Sequence, residues 1–159
     1  MATRRRKVSK GRSAKRSTAK KRPAPKARKK SRAAAPPRSS DAVRALARRI
    51  VAVTAANDDE ATLALYAADV ESTEQGQPTM RGIDSIRQKF VGWRSMVSEA
   101  HFEPRRVCVD GNTIVIEWVG SVTLAASGKQ AQLHEVAIHE IRGGKIAREA
   151  YFYDPSTLS

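Results

Sequence analysis

Apolar residues recur every three or four positions in the stretches before residue 97 and at alternate positions in the long stretches after it. Val43, Leu46, Ala47, Ile50, Val51 and Thr54 fall on one side of a helix over residues 41–56, opposite Arg44, Arg48 and Arg49. Pro36 and Pro37 stop any earlier helix, and Ser39 or Ser40 is placed to cap this one. Asn57 is a stop signal. Asp58, Asp59 and Glu60 put negative charge at the start of a second, short helix whose apolar side is Leu63, Tyr66 and Ala67. Residues 70–74 and 79–80 flank the turn Gln75-Gly76-Gln77-Pro78 as a hairpin. Ile83, Ile86, Phe90, Trp93 and Val97 then predict a third helix over residues 83–97.

Beyond it the period becomes that of strands. Residues 102–109, 113–124, 130–141 and 145–153 read as four strands, joined by turns at Asp110-Gly111-Asn112, Ser127-Gly128 and Arg142-Gly143-Gly144. Helices first and a strand meander after predict an α+β domain, because parallel sheets need strands and helices to alternate. On the third long strand Glu135, Ala137, His139 and Ile141 share one face, and Val136, Ile138 and Glu140 the other.

Charge changes the picture at one end only. Residues 1–40 hold 17 of the 30 Lys and Arg and none of the 16 Asp and Glu, so the formal +14 belongs to this segment and the remainder is mildly acidic. Its only apolar side chains larger than Ala or Pro are Met1 and Val8, too little to offset a backbone ordering cost of roughly 1–2 kcal/mol per residue. The chain is therefore expected to be a disordered Lys/Arg/Ala/Pro-rich basic tail over residues 1–40 and one domain over residues 41–159.

Uncompensated positive charge attracts a polyanion, and nucleic acid is the expected partner of the tail. The contacts are expected at Arg4, Arg5, Arg6, Lys7, Lys20, Lys21, Arg22, Arg28, Lys29 and Lys30. They should be non-specific, since the tail has no aromatic side chain to stack on bases and no element shaped to read a groove. The same clusters suit nuclear import or simple solubilisation. With no apolar run of membrane-spanning length and a single cysteine, the expectation is a soluble, intracellular protein. It would be cytoplasmic or nucleoid-associated, or nuclear in a eukaryote. Cys108 is expected to be a small buried apolar residue.

Several local strings carry a family likeness. Leu63-Ala64-Leu65-Tyr66-Ala67-Ala68-Asp69-Val70, Met80-Arg81-Gly82-Ile83-Asp84-Ser85-Ile86, Val109-Asp110-Gly111-Asn112-Thr113-Ile114-Val115-Ile116-Glu117-Trp118 and Gly143-Gly144-Lys145-Ile146-Ala147-Arg148-Glu149 occur in this order. Together they resemble the nuclear transport factor 2-like superfamily, in its SnoaL-like and ketosteroid-isomerase-like branch, over about residues 41–159. The tail resembles those of linker histones in composition. The domain resemblance implies a cone-shaped, curved antiparallel sheet wrapped around three N-terminal helices, a blind and mainly apolar cavity, and a homodimer through the sheet's outer face. It implies no single reaction, since the superfamily holds isomerases, dehydratases, cyclases and binding modules.

Carried over residue by residue, the general-base carboxylate of ketosteroid isomerases falls at Glu74, and the two oxyanion-hole donors fall at Ile50 and Ala137, which have no proton to give. Losing one such donor costs roughly 2.7–4 kcal/mol of transition-state stabilisation, which argues against steroid isomerisation. Glu74 is otherwise a solvated hairpin glutamate. His139 is the candidate acid or polar anchor, or else a satisfied strand histidine. Tyr66, Trp93, Trp118, Glu135 and Tyr151 are candidates to line the pocket around a small apolar ligand, although aromatic residues at such spacing also build cores. No metal-ligand spacing and no phosphate-binding glycine loop is present, so neither metal nor cofactor is expected. The reading is a small-molecule-pocket or interaction domain with a nucleic-acid-binding tail. The alternative is a cofactor-independent isomerase, hydrolase or dehydratase using Glu74 and His139.

Overall fold

The computed structural model describes residues 40–158, so the basic clusters from Arg4 to Lys30 lie outside the described residues. Helix α1 (Asp41–Ala55) begins where Ser40 Oγ accepts a hydrogen bond from the Val43 amide at 3.2 Å. Its buried stripe is Val43, Ala47 and Ile50, and Arg44, Arg48 and Arg49 remain in solvent. Asn57 turns the chain at φ 52°, and Asp58 caps α2 (Asp59–Leu63) by accepting from the Ala61 amide at 2.9 Å.

The apolar spacing carried this helix on to Ala67, and here the structure differs. Helix α2 ends at Leu63 and strand β1 (Tyr66–Glu74) begins at Tyr66. A five-residue helix has few internal hydrogen bonds, and Tyr66 gains a strand partner in Ile146. Strand β2 (Met80–Arg81) closes a hairpin on β1, and α3 (Ile83–Met96) follows Gly82, whose φ of 81° a residue with a side chain rarely adopts.

Strands β3 (Val97–Asp110), β4 (Thr113–Leu124), β5 (Gln130–Arg142) and β6 (Lys145–Phe152) form the expected meander. Strand β3 starts five residues before the expected point, because Val97 already pairs with Leu124. The sheet is unclosed, ordered β2-β1-β6-β5-β4-β3, and not purely antiparallel, since β1 runs parallel to β6. Ile114, Ile116 and Trp118 from β4, Ala137 from β5 and Ile146 from β6 form one core with Val43, Ala47, Ile50 and Ile86 from the helices.

Two further details bear on the site. Cys108 is exposed, contrary to expectation: β3 is an edge strand, and Phe102 and Val109 are its side chains that pack against the central core. Phe102 and Gly120 are cross-strand partners, and a Cβ at Gly120 would stand 2.5 Å from the Phe102 ring. The missing side chain lets that ring lie across β4, edge-on to Trp118 with centroids 6.4 Å apart. Among the described residues no helix is long and apolar enough to cross a membrane.

Candidate functional site

Helices and sheet leave a cavity of about 70 Å³ between them. Ile50 and Thr54 reach it from α1 and Phe102 from β3, while Tyr66, Trp118, Glu135, His139, Ile146 and Tyr151 reach it from the other strands. Strand register brings the polar residues together. Trp118 faces Glu135, Ala137 faces Tyr151, and His139 faces Glu149. The volume is well below the roughly 300–1,000 Å³ of common ligand sites, so without rearrangement it admits only a group of a few non-hydrogen atoms.

Behind this wall lies a buried carboxylate, Glu149, at 3% exposure. Its Oε2 accepts hydrogen bonds from the Tyr66 hydroxyl at 2.6 Å and the Tyr151 hydroxyl at 2.9 Å, and its Oε1 accepts from Ser72 at 2.7 Å. Lys89 Nζ stands 3.5 Å from Oε1, and His139 Nδ1 3.6 Å from Oε2. Burial alone would push the Glu149 carboxyl up. The His139 ring, the Lys89 ammonium and the Tyr66 hydroxyl outweigh it and hold the group at about 2. Burial and this anion together push the Tyr66 and Tyr151 phenols well above their ordinary range, so both remain donors.

Lys89 is itself engaged. It lies 2.8 Å from Glu74 Oε1, donates to Ser72 Oγ at 3.2 Å, and sits 4.0 Å from the centroid of the Tyr151 ring. Glu74 also accepts from the Tyr153 hydroxyl at 3.0 Å, and burial beside that carboxylate pushes the Tyr153 phenol up to about 12.

Two cavity groups make no side-chain hydrogen bond. His139 is 2% exposed and neither ring nitrogen makes a hydrogen bond. Among the described residues no side chain hydrogen-bonds or ion-pairs with the Glu135 carboxyl. Burial, with a smaller push from the Glu74 and Glu149 charges, raises Glu135 to about 7 against the pull of Lys89. The site thus holds a carboxyl that gains and loses its proton near neutrality and, four residues along β5, an imidazole with unused hydrogen-bonding capacity.

Tyr66, Trp118, Glu135, His139 and Tyr151 therefore share one cavity. Trp93 does not line it and packs behind Phe102, with centroids 6.3 Å apart. Glu74 does not line it either; it pairs with Lys89, and its charge acts on Glu135. The positions expected for oxyanion donors, Ile50 and Ala137, are buried apolar residues. Sequence reasoning missed Glu149, Ser72 and Lys89. The signal for Glu149 was its i, i+2 relation to Tyr151, and it was masked at Ala147, where β6 carries an extra residue between the Ile146–Ile141 and Arg148–Glu140 pairs. Among the described residues no group of three or more His, Cys, Asp or Glu is placed to hold a metal ion.

Residues 47–149 match the family model of the SnoaL-like domain. An NTF2-like protein from Burkholderia pseudomallei is similar in structure, with a TM-score of 0.69 at 18% identity over 76% of this chain and 99% of that one. So is a protein with a ketosteroid isomerase-like fold from Catenulispora acidiphila, in complex with trimethylamine (TM-score 0.64, 18% identity, 71% of this chain and 88% of that one). A Mesorhizobium loti protein provisionally named a SnoaL-like polyketide cyclase gives a TM-score of 0.60 at 23% identity, over 70% of this chain and 98% of that one. These likenesses concern the fold. No curated protein matches the chain.

The Glu135 proton has a consequence for stability. Its carboxyl lies at about 7 in the fold against an ordinary 4.5, so between these values the native state holds a proton that the unfolded chain has released. Stability is therefore lost as pH rises through this window, by about 3 kcal/mol at most. Urea denaturation of Glu135→Gln from pH 5 to pH 8 should show that loss removed. Parallel curves for wild type and variant would contradict it.

Proposed function

The chain belongs to the SnoaL-like domain family, and on that premise we propose that its domain is a binding module for a small ligand, anchored by Glu135 and His139. One observation carries this reading: His139, whose buried ring nitrogens make no hydrogen bond, and the half-buried Glu135, whose carboxyl has no partner side chain, stand on the wall of a mainly aromatic and aliphatic cavity. Buried polar groups are ordinarily satisfied, and a ligand that pairs both removes the cost of leaving them bare.

Binding is favoured over catalysis because the donors an enolising enzyme needs are absent from the places the family uses. Of the hydroxyls on the lining residues, those of Tyr66 and Tyr151 already donate to Glu149 and that of Thr62 to the Asp58 carbonyl. A second reading, a cofactor-independent proton-transfer enzyme with Glu135 as its acid and base, draws on the position of that carboxyl near 7.

A thermal-shift screen of small charged and neutral fragments tests the pocket. A ligand at a hundred times its Kd should stabilise the wild type by about 2.7 kcal/mol. Glu135→Gln should lose most of that shift while remaining folded. A screen in which no fragment raises Tm would remove the reading, and turnover of a fragment that ceases in Glu135→Gln would select the enzyme instead.

The basic segment supplies the second half of the proposal: residues 1–40 hold the domain on nucleic acid without regard to sequence. The support is the 17 positive charges there, with no acidic residue among them. Deleting the segment should abolish gel-shift binding to duplex DNA, and wild-type binding should fall with salt at a slope of about −0.9 per phosphate contacted. Unchanged affinity after the deletion would remove this part.

A further inference from the structure

We propose that the occupant of the cavity is a small protonated amine, a primary to tertiary alkylammonium ion, held between Glu135, His139 and the aromatic wall. The inference rests on the ligand-pocket reading and adds the chemical class of the ligand. It begins from the charges around the cavity. The groups that act electrostatically on Glu135 are Lys89 on α3, Glu74 on β1 and Glu149 on β6, with His139 two positions further along its own face and the Tyr153 phenol beyond Glu74. Counting Glu135 itself, this set holds three carboxyl groups, Glu74, Glu135 and Glu149, and one ammonium group, Lys89. Lys89 pairs with Glu74 at 2.8 Å and lies 3.5 Å from Glu149, which leaves Glu135 without a counter-ion in contact. An anionic ligand meets this field unfavourably, and a cation completes it.

The histidine, which makes no hydrogen bond, narrows the class. The Glu149 carboxylate lies 3.6 Å from His139 Nδ1, and an anion there favours the tautomer protonated on Nδ1. In the neutral ring the other nitrogen, Nε2, presents a lone pair and takes a donor, which a protonated amine carries and a quaternary ammonium ion lacks. Tyr66, Phe102, Trp118 and Tyr151 supply the aromatic part of the wall, and aromatic rings favour a cation over a neutral group of equal size. A volume of about 70 Å³ limits the substituents to short alkyl groups.

The probes are trimethylammonium, tetramethylammonium, tert-butanol and acetate, titrated into the full-length protein by calorimetry at pH 6 and pH 8. Trimethylammonium should bind more tightly than the other three by about tenfold or more. Its affinity should rise by about tenfold from pH 6 to pH 8, because the cation takes the place of the Glu135 proton. Glu135→Gln should abolish both the preference and the pH dependence, with its folding checked by urea denaturation. Equal binding of tert-butanol or acetate, or a pH-independent affinity, would overturn the amine and leave a ligand pocket. Failure of every probe to bind would overturn the pocket as well.

Discussion

The domain is organised around one buried negative charge. A carboxylate cannot be left bare in an apolar interior, and Glu149 is kept ionised there by hydroxyls from β1 and β6, the imidazole from β5 and the ammonium from α3. Apart from Tyr151 on the same strand, these partners come from β1, β5 and α3, so the charge is satisfied only when β1 and β5 lie beside β6 and α3 brings Lys89 to it. The parallel β1–β6 pairing, which places Tyr66 and Ser72 beside Glu149, is the topological form of that requirement.

The same arrangement decides what the cavity can do. Because Tyr66 and Tyr151 both donate to Glu149, their hydroxyls are not free for a ligand, and the ionisable groups on the wall left to meet one are Glu135 and His139. Because Lys89 is shared between Glu74 and Glu149, it only partly offsets the burial of Glu135. The carboxyl therefore rests near 7 in place of its ordinary range. Gly120 contributes from the far side: with no side chain there, the Phe102 ring folds over β4 and closes the wall, keeping the volume small.

Much of the fold was legible because the apolar period is unbroken where the elements are long. Helix α1 keeps one stripe through four turns, and β4 alternates without interruption from Ile114 to Val122. The α2–β1 junction was not legible, since Leu63, Tyr66 and Ala67 satisfy helical spacing equally well and pairing with β6 decides the matter. On β5 the shared face of Glu135 and His139 could be read by counting in twos. On β6 the extra residue at Ala147 breaks the count, so Ile146 and Glu149 both point inward and a strict alternation assigns Glu149 to solvent. Lys89 and Ser72 carry no pattern of their own. Their part depends on a partner about sixty to eighty residues away, which no local spacing encodes.

The central claim is that the fold sets a titrating carboxyl at Glu135 against the fixed charge of Glu149. Carbon-13 NMR of the glutamate side-chain carboxyls, assigned by loss of one resonance in Glu135→Gln, measures this directly. The account predicts that the Glu135 resonance titrates at about 7 and the Glu149 resonance at about 2. A Glu135 midpoint at the ordinary 4.5 would contradict it.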